Sequence, residues 1–132
     1  MNFLTQPTST YLLAASLGSL QEETRSWLHE IDFWQSEMIF LYKLLHQRLP
    51  TKTFPSEKLS LLEKKLIDLR TSKLDKTRGN LITHELALTA LLQSSPFSDE
   101  EDFREQHHKL LTELYVIKAL IKSFKEEVFL LF

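Results

Sequence analysis

The segment WLHEIDFWQSEMIFLYKLL, residues 27–45, decides the fold that the sequence predicts. Alternate steps of four and three residues from Trp27 meet an apolar side chain at every position as far as Leu45. Sustained steps of this kind mark the buried face of a helix in a coiled coil. Extended back to Leu13, the track is apolar at nine of its ten positions: Leu13, Leu17, Leu20, Thr24, Trp27, Ile31, Trp34, Met38, Leu41 and Leu45.

Proline residues divide the chain into three helical segments. Pro50 ends the first, which we expect over about residues 9–49, because proline disfavours a helical conformation in the residue before it. A second helix is expected over residues 56–94, where no proline interrupts the chain, and a third over 98–131. The short connections make neighbouring helices antiparallel.

The first helix has a candidate break near residues 18–19. Ser19 and Glu22 fit a capping box, in which a serine and a glutamate three residues later satisfy free backbone N–H groups. The helix could therefore begin at Leu20, with a separate short helix before it.

The second helix is the least regular. Its leucines follow one phase up to Leu66 and another from Leu74 onward. Two steps of four residues through Arg70 join the phases, which predicts a stutter that locally unwinds the supercoil.

The third helix carries another continuous track: Phe103, His107, Leu110, Leu114, Ile117, Ile121, Phe124, Val128 and Leu131. The chain of 132 residues has only two glycines and four prolines, too few for a fold rich in turns. We therefore predict an all-α fold, an elongated antiparallel three-helix bundle with coiled-coil-like packing and a single domain over residues 1–132. This architecture is similar to that of spectrin repeats, and Trp27-Leu28-x-Glu30 resembles the tryptophan segment of their first helix; the likeness covers this short stretch alone.

Composition narrows the classes of function. A net charge of −2 provides no basic surface for nucleic acid. The chain has no cysteine, which excludes disulfides and thiolate metal sites. The apolar patch near the N-terminus lacks the basic residues of a secretory signal, and no apolar run approaches the ~20 residues of a membrane span. We expect a cytoplasmic protein without a cofactor, and membrane binding is not expected.

The segment FREQHHKLL, residues 103–111, suggests a metal site, because Glu105 and His108 form the Glu-x-x-His unit of metal-binding bundles. Antiparallel alignment of the second and third helices also places His84 opposite His107. The metal hypothesis takes His84, Glu105, His107 and His108 as ligands for zinc or iron.

The alternative for the histidines is a buried polar layer that fixes the register of the helices. In this layer His84 and His107 bond to each other, to Thr24 or to water, with Glu22 or Glu23 within a turn. The sequence favours the layer, because a paired-metal site needs a Glu-x-x-His unit on each of two helices and only one is present.

Aromatic residues beside the core track would form a surface for association if exposed. Phe33 and Phe40 lie seven residues apart, with Tyr42 nearby, and the apolar C-terminus adds Phe129 and Phe132. We expect this surface to bind a protein partner or a second copy of the chain as a homodimer. For Phe129 and Phe132 the alternative is packing against the first interhelical loop, around Phe54. The sequence contains neither a glycine-rich phosphate loop nor a nucleophile elbow. The favoured function is thus a small non-enzymatic bundle acting through protein association, as scaffold, adaptor or self-assembling unit; the alternative is a metal- or cofactor-binding bundle.

Overall fold

The structure, a computed structural model, describes residues 16–48, 56–94 and 97–131. These ranges form three long helices: α1 (Leu17–Arg48), α2 (residues 56–94) and α3 (Phe97–Phe129). Each helix packs against the other two. The predicted all-α fold, a three-helix bundle, is confirmed.

The helices alternate in direction. Between α2 and α3, Lys65 pairs with Glu127 and His84 with His107, so positions rise along one helix as they fall along the other. Between α1 and α2 the ion pairs follow the same rule: Arg25–Glu85, Asp32–Arg78 and His46–Glu63. Helix α2 is therefore antiparallel to both neighbours, and α1 is parallel to α3.

Helix α1 begins at Leu17, with Ser16 as its N-cap. The hydroxyl oxygen of Ser16 accepts a hydrogen bond from the backbone N–H of Ser19 at 3.0 Å, which is the usual N-cap geometry. Ser19 therefore lies inside the first turn, and the alternative start at Leu20 is wrong. The expected start near residue 9 lies outside the described residues.

The core tracks of α1 and α3 are confirmed within the described residues except at their ends, where Leu17 and Leu131 are half-buried. On α1 every track residue from Leu20 to Leu45 is buried, and on α3 every track residue from Phe103 to Val128 is buried. Helix α3 ends at Phe129, two residues before the expected end, and residues 130–131 form a turn. Burial of each large apolar side chain stabilises the bundle by about 1.5–3 kcal/mol.

Helix α2 is continuous, but it changes type in the middle. The α-helical segments Ser56–Asp68 and Lys76–Ser94 are joined by a π-helical segment, Leu69–Asp75. The next buried residue after Leu69 is Leu74, a step of five. A π-helix pairs residues five apart, so this step returns to the same face of the helix. The expected stutter through Arg70 is therefore wrong. Leu69 enters the core instead, and Arg70 stays half-buried.

Gln35 on α1 closes the π-helical segment from the side. Its amide nitrogen donates to the carbonyl oxygen of Arg70 at 3.2 Å and to the Asp75 carboxylate at 2.6 Å. The guanidinium of Arg70 donates in turn to the amide oxygen of Gln35 at 3.4 Å. These hydrogen bonds satisfy polar groups where the π-helical segment interrupts the regular α-helical hydrogen-bond pattern.

Candidate functional site

The two histidines that were aligned from sequence do meet in the core. His84 on α2 is 4% exposed and His107 on α3 is fully buried. The Nε2 atom of His84 lies 3.0 Å from the Nδ1 atom of His107, which is a hydrogen bond between the two rings. Burying two polar rings is tolerated only when their nitrogens are bonded.

A carboxylate from helix α1 completes this arrangement. The Nε2 atom of His107 lies 2.8 Å from Oε1 of Glu23 on α1, and the Glu23 side chain is 24% exposed. Glu23, His107 and His84 therefore form a hydrogen-bonded chain that crosses all three helices and reaches the surface at Glu23. We call these three residues the polar chain.

Aromatic rings hold the two imidazoles in place. The ring of His84 stacks on Phe103 with centroids 4.1 Å apart and an angle of 1° between the planes. The ring of His107 stacks on Trp27 at 4.5 Å and 28°. Because rotation of either imidazole would lose both a stack and a hydrogen bond, the rings have one well-defined orientation.

The carboxylate fixes one donor in the polar chain. A carboxylate accepts, so His107 donates from Nε2 to Glu23, and a second hydrogen bond joins Nδ1 of His107 to Nε2 of His84. Burial, and secondly the nearby His107 ring, lowers the pKa of His84 from 6.5 to about 4. His84 is therefore neutral at pH 7.

The polar chain lies at a boundary inside the core. On one side is a large apolar cluster that runs from Trp27 to Val128, and on the other a small cluster of Leu20, Leu88, Leu91 and Phe103. Thr24 is also buried here, but its hydroxyl donates to the carbonyl oxygen of Leu20 in its own helix at 2.8 Å, not to a histidine. This geometry is that of a buried, hydrogen-bonded polar layer, the arrangement expected as the alternative to a metal site.

The four residues of the metal hypothesis do not form a ligand set. Glu105 is exposed and His108 is half-buried, whereas His84 and His107 are bonded to each other. In the ranges that the structure describes, no group of three or more His, Asp or Glu side chains is placed to hold a metal ion. The nitrogens of His107 face a carboxylate and a second imidazole.

The exposed phenylalanines form a second candidate site. Phe33 is 62% exposed, Phe40 60% and Phe129 53%. We call these three residues the aromatic surface. Leu130, 86% exposed, follows directly after Phe129, whereas Phe132 lies outside the described residues.

An ion pair shows how the aromatic surface is arranged. Lys125 Nζ on α3 lies 3.0 Å from Oε2 of Glu37 on α1. Phe40 follows Glu37 by three residues and Phe129 follows Lys125 by four, so both lie one turn beyond this pair on parallel helices. Phe33 lies one turn before Glu37 on the same side of α1. The aromatic surface therefore follows the seam between α1 and α3.

Tyr42 lies apart from the aromatic surface. Its ring is 4.3 Å from the ring of His46, and His46 pairs with Glu63 on α2 at 3.1 Å. Tyr42 therefore belongs to the seam between α1 and α2, which separates it from Phe33 and Phe40.

Three contributors to these features were not predicted from sequence: the stacking of Trp27 on His107, the stacking of Phe103 on His84, and the role of Gln35. The first two have only a general signal in the sequence: Trp27, Phe103 and His107 all belong to core tracks, so their rings were expected inside the bundle. Gln35 offers no comparable signal, because its role depends on a π-helical segment in another helix.

No protein-family model matches this chain, no curated protein matches it, and no solved structure matches it. Within the described ranges, none of the helices combines the length and the apolar character that crossing a membrane requires.

Proposed function

We propose that the protein is a non-enzymatic association module that binds another protein through its aromatic surface. The observation that supports this is the exposure of Phe33 and Phe40, each about three-fifths exposed on a helix whose other face is fully buried. Scattered single apolar residues are ordinary on protein surfaces. Phe33 and Phe40 instead lie seven residues apart on one side of α1, and we propose that they form one patch with Phe129 on the neighbouring helix.

The energetics favour an interface. Covering a phenylalanine side chain contributes about 1.5–3 kcal/mol, and aromatic residues are enriched at the centres of protein interfaces. In the isolated bundle these three side chains are left in water. A partner that covers them gains binding energy without any rearrangement of the buried core.

The experiment is hydroxyl-radical footprinting, which measures how accessible a side chain is to solvent. Phe33, Phe40 and Phe129 should be oxidised more slowly in a concentrated lysate of cells that make the protein than in the dilute purified protein. Leu86 on α2, 66% exposed, is the control and should be oxidised equally in both. Equal oxidation of the phenylalanines under both conditions would contradict the proposal.

A variant tests whether protection depends on the side chains themselves. Phe33→Ser with Phe40→Ser should fold normally, because both positions are exposed, and should lose the protection of Phe129 in the lysate. Protection of Phe129 that survives both substitutions would place the contact elsewhere.

A further inference from the structure

The end of the bundle beyond the polar chain has a small core of its own. Among the described residues, four buried apolar side chains form it: Leu20, Leu88, Leu91 and Phe103. Leu17, in the first turn of α1, is partly buried against them. Because a core this small leaves few apolar contacts to break, we expect this end to open at a lower free energy than the large cluster.

His84 lies at the inner boundary of this small core and is shielded by it. Its ring stacks on Phe103, a member of the small cluster, and its Nε2 atom is hydrogen-bonded to Nδ1 of His107 at 3.0 Å. Since only 4% of the residue is exposed, almost no water reaches a charge placed on the ring. A proton on His84 is therefore disfavoured while the end is closed, and opening the end hydrates the ring and removes this penalty.

The ionisable groups of α3 do not offset a charge on His84. His107 is itself an imidazole, so a proton on each ring would place two like charges on neighbouring rings in the core. His108, the next residue, is half-buried and carries no negative charge. Arg104 is a cation, and the carboxylate of Glu100 pairs with it on the same helix at 3.0 Å.

The acidic groups of α1 and α2 have partners of their own. Glu23 bonds to Nε2 of His107, on the opposite side of that ring from His84. Glu85, the neighbour of His84 on α2, pairs with Arg25 of α1 at 3.6 Å, and the two side chains are 34% and 61% exposed. Water weakens the influence of such an exposed pair on a buried ring. Solvent in the opened end is therefore the main source of stabilisation for a charged His84.

We propose that this end of the bundle is an acid-responsive element, in which proton uptake by His84 promotes local opening while the large cluster stays closed. Opening uncovers apolar side chains that are buried in the closed bundle, above all Leu20, Leu88 and Phe103. The polar chain and the small cluster together form this switch. It is independent of the aromatic surface and of any partner bound there.

Linkage between protonation and opening gives the direction and the size of the response. Burial, and secondly the nearby His107 ring, lowers the pKa of His84 from 6.5 to about 4 in the closed form. The opened form regains the ordinary value, so between these two pH values it binds a proton that the closed form does not. The equilibrium constant for opening should therefore rise about 20-fold from pH 7 to pH 5, with little change above pH 7.

Hydrogen exchange of single amides at pH 7 and pH 5 tests the proposal, with each rate divided by the intrinsic rate of an unprotected amide at the same pH. In the wild type, Leu88 should be less protected than Leu66 at both pH values, because Leu88 exchanges through the local opening. Protection of Leu88 should fall about 20-fold between pH 7 and pH 5. Equal protection of the two amides would mean that no separate opening exists, and the proposal would be wrong.

Three variants identify the group that takes up the proton. His84→Gln removes the titrating ring, so the protection of Leu88 should be nearly the same at the two pH values. His46→Gln removes a partly exposed imidazole near the other end of the bundle and should retain the whole effect. Glu23→Gln removes the carboxylate of the polar chain but keeps an acceptor for His107, and it should also retain the effect. A fall that persists in His84→Gln, or that disappears in Glu23→Gln, would assign the response to another group.

The wild type alone provides an independent check. The NMR signals of the His84 ring, followed in the folded protein as the pH is lowered, should titrate with a midpoint well below pH 6.5. A midpoint near pH 6.5 would mean that the closed form accepts the proton freely. The proposal would then fail even if His84→Gln did not fold.

Discussion

Residue His107 uses both ring nitrogens, and each use constrains the other. Its Nε2 atom donates to Glu23 and its Nδ1 atom is hydrogen-bonded to Nε2 of His84, so removing either partner leaves a buried polar atom unbonded. An unbonded buried group costs about 1–3 kcal/mol, whereas replacing both members of a pair by apolar groups is close to neutral. The two histidines should therefore behave as a unit.

A double-mutant cycle measures this coupling. His84→Leu alone should lower the free energy of unfolding by about 1–3 kcal/mol, because the buried Nδ1 atom of His107 is left without a hydrogen-bond partner. His84→Leu with His107→Leu should return the free energy of unfolding to within about 1 kcal/mol of the wild type or above it. Urea unfolding at pH 7 of the wild type, both single variants and the double variant provides the four values. Effects of the single substitutions that simply add would contradict the coupling.

The lowered pKa of His84 predicts how stability depends on pH. The unfolded chain binds a proton at this residue below about pH 6.5, and the folded protein does so only below about pH 4. Stability should therefore fall as pH is lowered from about 6.5 to about 4, by up to about 3 kcal/mol from this residue, and be unaffected by it above that range.

His84→Gln is the control for the pH effect, because its amide can either donate a hydrogen bond to His107 or accept one, but does not titrate. Urea unfolding between pH 4 and pH 7 should show a steeper loss of stability in the wild type than in His84→Gln. Equal slopes would assign the pH dependence to other groups.

The pairing of His84 with His107 could be predicted from sequence because both belong to core tracks of known direction. The choice of Glu23 over Glu22 depends on helix rotation to within one residue, which periodicity alone leaves open. The sequence predicts the layer of Thr24 correctly. It does not predict the partner of the Thr24 hydroxyl, because a buried threonine can bond either to a carbonyl oxygen of its own helix, as here, or to a side chain of another helix.

At the scale of the element, helix α2 shows how a π-helical segment keeps buried leucines on one face of a helix when their spacing changes. A stutter would turn Arg70 toward the core, and burying a charged side chain is costly. The π-helical segment buries Leu69 instead and leaves Arg70 within reach of Gln35. The leucine pattern predicts the change of phase. It does not distinguish a stutter from a π-helical segment, because both return Leu74 to the core.

Deletion of a single residue tests this explanation. Removing Ser72, an exposed residue of the π-helical segment, shortens the step from Leu69 to Leu74 to four and should convert the segment to α-helix. The core positions are retained, so the free energy of unfolding should stay within about 2 kcal/mol of the wild type. Thermal unfolding followed by circular dichroism measures this.

The matched control deletes Thr83, which is also exposed but lies in a regular α-helical segment. All later residues of α2 would then rotate out of phase, so this variant should lose more than about 4 kcal/mol or fail to fold. Similar losses for the two deletions would mean that the π-helical segment has no special tolerance.

At the scale of the whole molecule, the polar chain divides the bundle unequally. Among the residues that the structure describes, the large apolar cluster contains 18 buried side chains and the small cluster near Leu20 and Leu88 contains four. Local opening costs less where fewer apolar contacts must be broken. The end of the bundle beyond the histidines should therefore open separately from the rest.

Native-state hydrogen exchange detects such an opening. We expect the amides of Leu20 and Leu88 to exchange through a low-energy opening that leaves those of Leu66 and Ile121 protected, because the latter lie in the large cluster. In the double variant His84→Leu with His107→Leu the two clusters would become one continuous apolar core, and protection at Leu88 should approach that at Leu66. If Leu88 and Leu66 were equally protected in the wild type, the bundle would open as one cooperative unit and the polar chain would serve register alone.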